Sequence, residues 1–84
     1  MANANRIEEL KAYVKQWQSA LTGLADRRQS LLDMQSKGYR FTDDAGDDYL
    51  QHWIKNVDAA VLEHQDILTR MESLLARAQA GEDV

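Results

Sequence analysis

Eighty-four residues without cysteine or proline carry 14 acidic and 10 basic side chains, a formal charge of −4. This bounds the chain to one small domain with no disulfide or thiolate metal site, and its mild acidity argues against general affinity for nucleic-acid backbones. No run approaches the ~18 consecutive apolar residues of a membrane span. Residues 1–6 lack the apolar stretch of a signal peptide, so the expected location is the cytoplasm.

The first predicted element is a helix over about 5–37. Ile7, Leu10, Val14, Trp17, Leu21, Leu24 and Leu31 fall at alternating steps of three and four, a heptad seam in which Arg28 takes one core slot. Tyr13, Ala20 and Met34 flank that seam on one side and widen the apolar stripe. Asn3 or Asn5 is the expected N-cap, with Glu8 and Glu9 facing the positive end of the helix dipole. Lys37-Gly38 reads as a stop, a cation followed by a residue free to turn left-handed. Gly23 offers a place to kink, which would give three helices instead of two.

Residues 38–43 read as an acidic loop, with Thr42, Asp43 or Asp44 expected to cap the next helix. Asp43, Asp44, Asp47 and Asp48 form the only dense charge cluster. They suit the positive end of a helix or a docking knob for a basic surface. An EF-hand is excluded, because the twelfth position counted from Asp43 is Ile54 and not a glutamate. Tyr39, Arg40 and Phe41 beside these acids would make a tip able to anchor a partner, or would pack back onto the helix ends.

The second predicted helix covers about 44–80, with a frayed tail over 81–84. Leu50, Ile54, Val57, Val61, His64, Leu68, Met71, Leu75 and Ala78 form its seam. Trp53, Ala60, Ile67 and Leu74 make a second apolar row beside it, spaced by heptads. Two adjacent rows imply a helix that meets two neighbours.

The expected fold is therefore all-α: a long antiparallel helical hairpin with coiled-coil character, dimerising into a four-helix bundle. Folding the chain back about Phe41 sets His64 opposite the stretch from Trp17 to Leu21 and brings Arg28 near Lys55, Asn56 and Asp58. An Arg–Asp pair is expected there, within the chain or between subunits. The expected core or dimer interface comprises Trp17, Leu21, Leu24, Arg28, Trp53, Val57, Ala60, His64, Ile67 and Leu74.

No nucleophile, base and orienting group can be assembled from the serines and two histidines, and no glycine-rich phosphate loop is present. His52 and His64 are not at helical-turn spacing, so they cannot share one metal ion. The expectation is a protein without enzymatic activity, cofactor, metal or small-molecule substrate. It acts by binding another protein as an adaptor, chaperone or inhibitor. At the level of fold alone it resembles small all-helical proteins that bacteria and phages use in those roles. The alternatives are a structural subunit of a secretion or virion assembly, and a nucleic-acid binder or acidic mimic.

Overall fold

The computed structural model describes residues 3–84 and consists of two helices, α1 (Asn3–Ser36) and α2 (Tyr49–Gln79), packed against each other as a hairpin. The molecule measures 61 × 20 × 14 Å, with a radius of gyration of 18.5 Å. A globular chain of this length has about 12 Å. The all-α hairpin expected from the heptads is what forms. α1 runs unbroken through Gly23, around which a side chain would meet nothing within 4 Å, so the three-helix alternative is not adopted.

Both helices end in the same way, for the same reason. Gly38 and Gly81 have φ of +83° and +92°. This left-handed turn costs glycine little, and it points the next two N–H groups back at orphan carbonyls. Gly38 and Tyr39 donate to Gln35 and Met34, and Gly81 and Glu82 donate to Ala78 and Arg77. Residues 81–84 lie beyond α2, and two contacts reach them. Arg77 pairs with Glu82, and the Arg6 guanidinium donates to the Val84 carbonyl at 3.1 Å, joining tail to α1.

The helix starts differ from expectation. Asn5 lies inside α1 and caps nothing, while the side chain of the alternative cap, Asn3, lies outside the described residues. Glu8 and Glu9 instead form i,i+3 pairs with Lys11 and Arg6. α2 begins at Tyr49, not near residue 44, and its N-cap is Asp48, whose carboxylate accepts from the Leu50 N–H at 3.0 Å.

The core is thin. Leu31, Leu50 and Val57 are buried together near the loop, with Ile54 and Val61 partly buried against them. Leu10 and Ala78 are buried towards the open end. Between these regions the seam residues Trp17, Leu21, Leu24, His64 and Leu68 are only half-buried, as is Ile67 of the row beside them. Trp17 and His64 meet edge to face, ring centres 5.0 Å apart, as the folded-back register requires. The His64 Nδ1 lies 2.8 Å from the Ala60 carbonyl. A carbonyl only accepts, so Nδ1 carries the proton and this core-side histidine is satisfied by its own helix.

Arg28 meets Asp58 of the same chain, its Nε 2.5 Å from the carboxylate. It marks where the apolar seam opens to water. Both side chains are nearly half exposed, so solvent screens the pair and replacing either residue by alanine should cost less than ~1 kcal/mol in urea melts.

Candidate interaction surfaces

Two surfaces stand out, the loop tip and one long face of the hairpin. The loop spans 37–48 and is a folded unit. The Tyr49 N–H donates to the Phe41 carbonyl at 2.9 Å, and Thr42 and Asp48 face each other as an isolated antiparallel bridge. Inside this closure the Gly46 N–H reaches the Asp43 carbonyl and the Asp43 N–H reaches the Asp47 carbonyl. The Asp43 carboxylate accepts from the N–H groups of Ala45 and Asp47 at 2.9 and 3.0 Å. Aspartate folds a turn this way because its short side chain substitutes for a backbone acceptor.

The four acids therefore separate into two kinds. Asp43 and Asp48 are spent on the loop and on the cap of α2, correcting the expectation that Thr42, Asp43 or Asp44 would cap the helix. Among the described residues the carboxylates of Asp44 and Asp47 have no partner, and both are exposed. Asp43→Ala or Asp48→Ala should each lower stability by ~1 kcal/mol. The double change Asp44→Asn, Asp47→Asn should stay within ~0.5 kcal/mol of the parent in thermal melts.

The loop aromatics also separate. Phe41 packs against Trp53 with ring centres 5.3 Å apart, and Tyr49 stacks on Trp53 at 6.4 Å. Tyr39 is 57% exposed and Arg40 is exposed, so the free part of the tip is Tyr39, Arg40, Asp44 and Asp47.

The second surface comes from the flanking rows. Leu24 and Arg27 of α1 line one groove with Trp53, Asn56, Val57 and Ala60 of α2. Tyr13, Ala20, Arg27 and Met34 recur every seven residues on α1, as do Trp53, Ala60, Ile67 and Leu74 on α2, so both rows lie on the same side of the hairpin. Towards the open end, Tyr13, Gln16, Trp17 and Ala20 line a second groove of about 370 Å³. Tyr13, Met34, Phe41, Tyr49 and Trp53 are each 37–43% exposed. No charged side chain among the described residues is buried.

Of the residues expected at a core or dimer interface, Val57 is buried. Trp17, Leu21, Leu24, Ala60, His64, Ile67 and Leu74 are half-buried, and Trp53 and Arg28 are exposed. The sequence reading missed Tyr49 and the groove residue Gln16. The signal for Tyr49 was Gly46, which is out of place inside a helix and moves the helix start past it. None of the known protein families, curated proteins or solved structures compared with this chain matches it. No helix among the described residues is long and apolar enough to cross a membrane.

Proposed function

We propose that this hairpin is a cytoplasmic protein-binding module without enzymatic activity, an adaptor, chaperone or inhibitor of a larger protein machine. It works through its helical face and its loop tip. The observation supporting this is the row of half-exposed aromatic and aliphatic side chains along one side, from Tyr13 through Met34 and Phe41 to Trp53. Apolar surface of this extent on a small chain is what association covers. A nucleic-acid role has less support, because Arg28 is already engaged by Asp58 and acids surround the remaining bases.

The test is a pull-down from bacterial lysate with identification of the captured proteins. The control bait carries Asp44→Asn and Asp47→Asn, changes that leave the loop's internal hydrogen bonds in place. The expected result is one protein at near-equal stoichiometry, with reduced recovery on the control bait. Recovery of the bait alone overturns the proposal.

A further inference from the structure

We propose that the apolar face is covered by a second copy of this chain, laid on it end over end, so that α1 packs on α1 and α2 on α2 in a four-helix bundle. The inference goes beyond the interaction-module reading: it assigns the helical face to self-association and leaves the loop tip for another protein.

Size, shape and charge support this occupant. The hairpin itself is 61 Å long and 20 Å wide, so a second copy laid along its full length would cover at most on the order of 1,000 Å² per copy, or about 2,000 Å² for two, against about 1,600 Å² for a standard stable interface. A two-fold contact also requires a surface complementary to itself. The two rows meet that condition. Folding the chain back staggers Trp53, Ala60, Ile67 and Leu74 between the heights of Tyr13, Ala20, Arg27 and Met34, with Ala20 and Ala60 near the middle. Turning the second copy end over end about that middle brings each alanine beside its own counterpart, where small side chains let helices approach closely. Trp53 then falls between Ile67 and Leu74 of the second copy, and Tyr13 between Arg27 and Met34 of the second copy. Large side chains thus enter gaps between large ones.

Charge selects this orientation over the one with both loops at the same end. That alternative would crowd eight loop aspartates together, including the unpaired Asp44 and Asp47 of each chain. End-over-end packing separates the two clusters by most of the molecule's length, well beyond the ~10 Å over which salt screens such repulsion.

The test uses the full chain in sedimentation equilibrium from 20 to 500 µM, together with single-cysteine variants that the cysteine-free sequence makes unambiguous. The expected mass is twice that of the chain. Ala60→Glu should return it to the monomer with its helical circular dichroism retained, because residue 60 lies at the edge of the seam. Ala20→Cys and Ala60→Cys, each alone, should cross-link to themselves with a short bis-maleimide. A monomer at every concentration, a ladder of larger species, or cross-linking only in a mixture of the two cysteine variants overturns the proposal. A monomer that still captures one protein in the pull-down overturns the dimer and leaves the interaction module standing. A dimer that captures nothing does the reverse.

Discussion

Leu50→Asp should leave the chain unfolded at 25 °C, while Leu62→Asp should not change its melting temperature measurably. The two leucines are twelve residues apart on α2 but occupy opposite extremes of exposure, 0% and 69%. Leu50 fills the centre of the small cluster with Leu31 and Val57. Truncating a leucine at such a site costs ~2–5 kcal/mol, and a carboxylate left there adds the penalty of an unpaired buried charge. The reserve is small, because a single core in a chain of this size rarely supplies more than ~3–5 kcal/mol. Circular dichroism at 222 nm reads the result directly. A cooperative melt for Leu50→Asp near that of the parent would mean that the loop-end cluster does not hold the hairpin together. Leu50→Ala gives the graded version, with a midpoint lowered by ~4–8 °C for each kcal/mol lost.

The position of that cluster explains which parts of the fold were legible in the sequence. The seams were legible because burial selects apolar residues at the steps at which a helix returns to one face. His64 opposite Trp17 and Arg28 beside Asp58 then follow from folding one straight rod back along another. The left-handed end of α1 at Gly38 was legible because glycine is the residue that adopts it cheaply. The start of α2 was not legible in the same way. Four aspartates within six residues offer several equivalent caps, and propensity does not choose among them. The choice is made by the loop's own closure, in which Asp43 turns back to bond Ala45 and Asp47 and leaves the helix to begin at Asp48. Gly46 and the absence of large apolar residues between Phe41 and Tyr49 were the available signs. For the surfaces, sequence periodicity found the second apolar row, but only the fold shows that Trp53 and Ala60 of that row line one groove with Leu24 and Arg27 of α1.

Trp53→Ala should be the most damaging change at an exposed position, lowering stability by ~2 kcal/mol and loosening the loop. A fully buried tryptophan costs ~3–5 kcal/mol when cut to alanine. Trp53 is 38% exposed, so part of that loss is already conceded to water. The remainder is concentrated in two ring contacts, with Phe41 and with Tyr49. These residues are also joined by backbone, the Tyr49 N–H donating to the Phe41 carbonyl. The indole therefore clamps the point where the loop closes onto α2, and its removal should speed hydrogen exchange at the Tyr49 amide more than at core amides of either helix. Tyr39→Ala, at a ring 57% exposed and outside this cluster, should leave both stability and exchange near parent values. The melts must be run at the lowest workable concentration, where self-association contributes least, because Trp53 is also the largest side chain on the face proposed to meet a second copy. If Trp53→Ala kept the parent's exchange rate at Tyr49, the loop's own hydrogen bonds would be sufficient to hold it. The aromatic cluster would then be free to serve binding alone.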